Sequence, residues 1–183
     1  MEKLIEIIKE KNIRIIAIDG RCASGKTTLA RELARLLNAE LIHLDDFFLS
    51  NNQKTTERLQ EVGGNIDYER FLKDVLVKLT FSQSFSYLTF DCTSQTLAKE
   101  VYINNNRTII IEGTYSHHPK FLKYIDLKVF LTVNAQEQIE RLKVRSPKLV
   151  DRFINEWIPM EEKYFETLKI QEHSDYVIDT SKI

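Results

Sequence analysis

The stretch Gly20-Arg21-Cys22-Ala23-Ser24-Gly25-Lys26-Thr27-Thr28 follows the apolar run 13–18 and opens into an amphipathic segment ending near Leu37. The pattern G-x-x-x-x-G-K-T between a strand and a helix is that of a phosphate-binding loop. Its glycines let the backbone turn sharply, so that successive N–H groups point at an anion that a Cβ would hold off. Gly20, Ala23, Ser24, Gly25, Lys26, Thr27 and Thr28 are therefore the expected phosphate cradle. Lys26 reaches the outer phosphates, and the Thr27 hydroxyl holds Mg²⁺. The helix that starts near Gly25 adds its positive dipole end and unpaired N–H groups. A plain glycine turn is the alternative, and the strand before the motif and the helix after it argue against that.

A chain of 183 residues is expected to form one domain, 1–183, with a full core. With 26 basic against 27 acidic residues the net charge is −1, so no global field draws it to nucleic acid or to an anionic membrane. Any attraction for phosphates is local. Cys22 and Cys92 are too few for a disulfide framework, which favours a reducing cytoplasm. The first residues, charged and apolar at helical spacing, lack the form of a signal peptide, and no run approaches the ~20 apolar residues of a membrane span.

Leu4, Ile5, Ile7 and Ile8 mark one side of a short helix that Asn12 ends, and 13–18 reads as a buried strand. Leu29, Leu33, Leu36 and Leu37 form the expected buried stripe of the next helix. A second strand over 41–44 ends in Asp45-Asp46-Phe47-Phe48, and 50–67 is a polar connection containing Gly63-Gly64. Helical spacing returns over 68–79, followed by a short strand at 87–91 and a further candidate at 97–103. Clear strands at 107–113 and 127–133 precede a helix capped by Asn134, with Glu137 three residues on. Pro147 interrupts it; a second helix is expected to run to about Gln171, and 175–179 closes as a strand. Strands alternating with helices indicate an α/β layer fold with a mostly parallel sheet, whose ligands sit beyond the carboxyl ends of the strands.

At those strand ends the chemistry collects. Side chains alternate along a strand, so one of Asp45 and Asp46 faces the phosphates; Asp45 is the better candidate to accept a proton from an attacking hydroxyl. Glu112 ends a run of three isoleucines, where an unused acid is costly to bury; it is a metal or water ligand or a partner of Lys26. The glycines, all five just after a strand or in the polar connection, suggest backbone approach to ligands, with a simple turn as the alternative for Gly63-Gly64. Arg141, Lys143, Arg145, Lys148 and Arg152 surround Pro147, either as a solvated face or as a lid that stabilises a phosphoryl transition state. His117 and His118 lack metal-ligand spacing. His43 and His173 read as structural, and Trp157, Tyr164 and Phe165 as core. Asp67 is placed to accept two sugar hydroxyls or to cap the helix from Tyr68.

Taken together the motifs resemble the uridine kinase and phosphoribulokinase branch of P-loop kinases. Ala23 to Thr28 is similar to the family's Ala-Ser-Gly-Lys-Thr-Thr, and Leu44-Asp45-Asp46-Phe47-Phe48 to its Asp-Ser-Phe-Tyr segment. The chain's 65–71 resembles its Asn-Phe-Asp-x-Pro-x-x-Phe stretch, 111–115 its Phe-Glu-Gly-Ile segment and 141–145 its Arg-Leu-x-Arg-Arg lid entrance. The resemblance implies a three-layer P-loop NTPase fold with a short lid at about 141–155. It also implies ATP and Mg²⁺, Lys26, Asp45, Arg141 and Arg145 in catalysis, and Thr27 and Glu112 at the metal. Asp45, Arg58, Asp67 and Tyr115 are the expected substrate side. Two departures concern the acceptor: Gln95 and Leu97 stand where the family has a base-reading His and an Arg, and the lid is short. The expected activity is transfer of the γ-phosphoryl group to a small-molecule hydroxyl, most naturally a nucleoside; a sugar phosphate or vitamin precursor kinase and a nucleotide switch are the alternatives. Oligomeric state is not written in the sequence.

Overall fold

The computed structural model describes residues 1–182. Helix α1 (Glu2–Glu10) buries Leu4 and Ile8 and is closed by Asn12 in the left-handed region. Strand β1 (Ile15–Gly20) is buried at every position, which is why it is apolar as far as Ile18. The chain continues through α2 (Lys26–Leu37), β2 (Glu40–His43), a 3-10 turn at Leu44–Phe47 and the short α3 (Thr56–Gln60) and α4 (Tyr68–Phe71). Strands β3 (Ser84–Asp91) and β4 (Thr96–Asn104) precede β5 (Ile109–Glu112), β6 (Leu127–Thr132), α5 (Ala135–Arg145), α6 (Val150–Arg152), α7 (Ile158–Thr167) and β7 (Tyr176–Asp179).

The central sheet has the order β2-β5-β1-β6-β7, and every pairing in it is parallel. One face packs Ile16, Ile18, Val129 and Leu131 against α1 and α2 through Leu4, Ile8, Ala30 and Leu33. The other packs Ile42, Ile111 and Phe130 against Phe47, Phe71, Phe121, Tyr164 and Phe165. Three layers result, as the α/β pattern implies. Leu36 departs from the expected stripe of α2: it is 41% exposed, and Ala30 takes the buried position beside Leu33. Register places Ile18 and His43 on either side of Glu112, and Asp19 beside Phe130. The carboxyl ends of β1, β2 and β5 thus form one edge.

The two strands after the polar connection do not join that sheet. β3 and β4 pair antiparallel as a separate hairpin, Ser84 opposite Asn104, with Tyr87 and Ile103 turned into the core. The helix expected over 68–79 passes from α4 into a π turn at Leu72–Leu76 and a 3-10 turn at Lys78–Thr80. Between α6 and α7 a second π turn covers Phe153–Trp157. Pro159 explains it, because proline has no N–H to give the carbonyl four residues earlier. The expected second helix ends earlier than Gln171, at Thr167. Among the described residues no helix is long and apolar enough to cross a membrane.

Candidate active site

The phosphate loop joins β1 to α2, and its curl is set by Ala23 and Gly25, both left-handed at φ 59° and 89°. Gly25 is the N-cap of α2 and has no side chain to occupy the first-turn N–H groups, so these remain available to an anion. The loop is braced from outside by backbone and side chains. Arg21 N–H donates to Leu131 O at 3.1 Å, and its guanidinium forks onto Glu162 at 2.7 and 2.8 Å. Gln138 donates to Cys22 O, and Thr180 Oγ1 to Ser24 O at 3.0 Å. Ser24 Oγ is buried and has no hydrogen-bond partner among the described residues.

Inside the loop, Lys26 Nζ donates to Gly20 O at 2.7 Å and Arg21 O at 2.9 Å. The alternative of a Lys26–Glu112 ion pair is therefore not what forms. Glu112 instead accepts from Thr27 Oγ1 at 3.1 Å and lies 2.6 Å from His43 Nδ1. One hydroxyl and one buried carboxylate side by side fit Mg²⁺, which keeps several waters and needs few protein ligands. That donor set suits it although no three His, Cys, Asp or Glu side chains gather into a metal cage among the described residues.

The two adjacent aspartates part company in the 3-10 turn. Asp45 is exposed to the cleft and brings Oδ1 over Gly113, 3.7 Å from where a Cβ would stand. The cleft walls desolvate its carboxyl and, with the charge of Glu112, raise its pKa. Asp46 turns to the hairpin and accepts from Tyr87 OH at 2.8 Å.

Asp67 caps α4, accepting Arg70 N–H at 2.9 Å on Oδ1 and the Gln53 amide at 2.7 Å on Oδ2. Arg58, expected at the substrate, lies against the turn before α4. It bonds Gly64 O and Ile66 O, pairs with Glu69 at 2.7 Å and stacks 3.7 Å over Tyr68. Tyr115 is buried with its ring edge on Tyr164, 4.8 Å between centroids. Gly64 also serves the chain itself: a Cβ there would stand 2.1 Å from Arg58 O, so the tight turn rather than ligand approach requires glycine.

The expected lid arginines separate too. Arg141 lies behind the loop, bonded to Glu137, Ala23 O and Thr180, while Arg145 is exposed with its guanidinium over Phe153. Phe153 packs edge-on to Trp157, which Arg152 covers, so Trp157 is half-buried surface rather than core.

Three neighbours of this region escape a reading of the sequence. His43, read there as structural, shares Glu112, whose hydrogen bond raises its pKa. Asp19 is fully buried and accepts from Gly20 N, Tyr115 N, His117 N and Tyr164 OH. An acid inside an apolar strand is the signal that marks it. Glu161, from the last helix, accepts Cys22 N–H at 2.9 Å, and nothing in its local sequence points there.

Comparison with known proteins follows the same lines. The chain is 27% identical over 186 residues to a uridine kinase of Staphylococcus haemolyticus, covering 91% of this chain and 87% of that one. A uridine kinase of Staphylococcus aureus is 27% identical over 187 residues, covering 92% and 88%. The structure of a possible uridine kinase from Bacillus stearothermophilus superposes with TM-score 0.72 at 22% identity, covering 98% of this chain and all of that one. A D-glycerate 3-kinase from Cryptococcus neoformans superposes with TM-score 0.58 at 14% identity, covering 91% and 86%. These two likenesses speak for the fold. The sequence profile of the AAA domain family, AAA_18, matches residues 16–168, from β1 and its phosphate loop to the end of α7, and the chain belongs to that family.

Proposed function

We propose that this P-loop kinase transfers the γ-phosphoryl group of ATP to a hydroxyl of a nucleoside, in a reducing, cytoplasmic setting. The observation that carries the proposal is the convergence at one sheet edge of Lys26, the Thr27–Glu112 pair and Asp45. The outer phosphates would draw Lys26 Nζ from the Gly20 and Arg21 carbonyls, while the loop N–H groups hold the chain of oxygens. Thr27 and Glu112 would hold Mg²⁺, which supplies charge neutralisation on those oxygens. Asp45 takes the proton of the attacking hydroxyl; its raised pKa brings it nearer the working pH of a general base.

Names of relatives support a nucleoside acceptor, and the cleft between the 3-10 turn, Asp67 and the hairpin is where it would lie. The test is a phosphotransfer screen with Mg-ATP over nucleosides, sugars, sugar phosphates and vitamin precursors. Phosphorylation of uridine or cytidine above all others is expected. Transfer confined to a non-nucleoside acceptor overturns the acceptor assignment, and no transfer to any alcohol overturns the chemistry.

A further inference from the structure

Glu161 lies far along the chain from the loop it touches. It is 7% exposed, and its Oε2 accepts the Cys22 N–H at 2.9 Å. Its Oε1 is 3.4 Å from the Thr114 hydroxyl, which also reaches Gly20 O at 3.2 Å. Lys26, 9% exposed, donates to that same Gly20 carbonyl and to Arg21 O. A buried carboxylate and a buried ammonium thus flank the first turn of the loop. Burial raises the Glu161 pKa, and Lys26 is the charge that most opposes that rise.

We infer that Glu161 is a positioning residue for the phosphate loop, pinning its outer turn and competing with nucleotide phosphates for the charge of Lys26. This rests on the reading that the loop holds nucleotide. A group that stabilises Lys26 more before phosphates arrive than afterwards lowers nucleotide affinity by that difference. The same contact keeps the turn shaped for transfer, so removing its charge acts in opposite directions on binding and on turnover. A contact that only holds the fold would act on ADP binding to the same extent whether or not Lys26 is present.

The rest of α7 stays attached without it, through Glu162 on Arg21 and Tyr164 on Asp19. Glu161→Gln keeps an oxygen for the Cys22 N–H and removes the charge. Calorimetric titration with ADP and Mg²⁺ is expected to show binding tightened by about 10-fold, a typical size for coupled sites. Turnover on the best acceptor should fall by a similar factor. In a Lys26→Met background the same substitution should change ADP affinity by less than about twofold, since the cycle isolates the pairwise effect. Unchanged or weaker ADP binding in a Glu161→Gln protein of wild-type melting temperature overturns the inference, as does equal tightening in the Lys26→Met background. If Glu161→Gln does not fold, Glu161→Asp carries the test: ADP affinity within about twofold of wild type with turnover reduced about 10-fold supports the inference, and wild-type turnover overturns it. Wild-type protein that binds ADP yet phosphorylates no nucleoside overturns the acceptor reading alone, and the ADP arms still decide for Glu161; protein that binds no ADP overturns both.

Discussion

The phosphate side and the acceptor side of this cleft are built by different means. The loop grows out of a strand held by main chain on both edges and continues it with Arg21 N–H on Leu131 O, while the Glu161, Glu162, Gln138 and Thr180 side chains brace its turn from outside. The acceptor side is tied by side chains reaching between short elements. Asn51 N–H bonds the Gln95 side chain, Gln53 bonds Asp67, Arg58 braces 64–69, and Tyr87 bonds Asp46. A frame of main-chain bonds tolerates changes of sequence that preserve the backbone, whereas a side-chain frame changes with each residue. The phosphate loop therefore depends first on its backbone, and the region around Asp67 on its particular side chains.

The sharpest way to break that contrast is at Lys26. Lys26→Ala should lower turnover by about 10³-fold, because a preorganised charge at the transition state is lost, while the melting temperature changes little. Steady-state kinetics beside thermal unfolding check it; full turnover in a folded variant would remove the loop from the chemistry. Next, Asp45→Asn should cost about 10²-fold or more in turnover with ADP affinity nearly unchanged, as loss of a general base does. Asp46→Asn should be milder in catalysis and should loosen the hairpin, since it weakens the partner of Tyr87. Equal catalytic losses would contradict the division of labour between the two aspartates.

Beside the Gly63 turn, His118 is stacked on Tyr68 and against Phe121. Burial, with the charge of Lys120, lowers its pKa from 6.5 to about 4. A neutral form favoured in the fold contributes stability that is full above pH 6.5 and is lost as pH falls toward 4. Unfolding free energy should drop by about 2 kcal/mol between pH 7 and pH 5 from this group. Urea titrations of His118→Gln should show that part of the slope gone; an unchanged slope would mean another group carries it.

The smallest expected effect is at Asp67. Asp67→Ala should cost about 1 kcal/mol of stability as a lost helix cap and raise the acceptor KM by about 10-fold, one hydrogen bond's worth, without altering the KM for ATP. A fall in stability alone would leave Asp67 as a cap and nothing more, which is the side-chain framing of this region in its purest form.

Local chemistry carried much of the outcome. The phosphate loop, the buried strand before it, the Asn134 cap and the acids at the strand ends are all visible in sequence, because each depends on residues a few positions apart. Loop curl and helix capping are short-range, and a carboxylate in an apolar run is conspicuous wherever it lies. Which faces those acids share was decided by tertiary structure. Parallel register set His43 beside Glu112 across strands, and the docking of α7 delivered Glu161 and Tyr164 to a loop well over a hundred residues earlier. Arg58, Tyr115 and Arg141, expected to face ligands, find in the fold carbonyls, carboxylates and rings that no local pattern announces. The physical reason is the same in each case: a side chain's polarity is written in the sequence, but the partner that satisfies it is chosen by which distant segments the packed layers bring together.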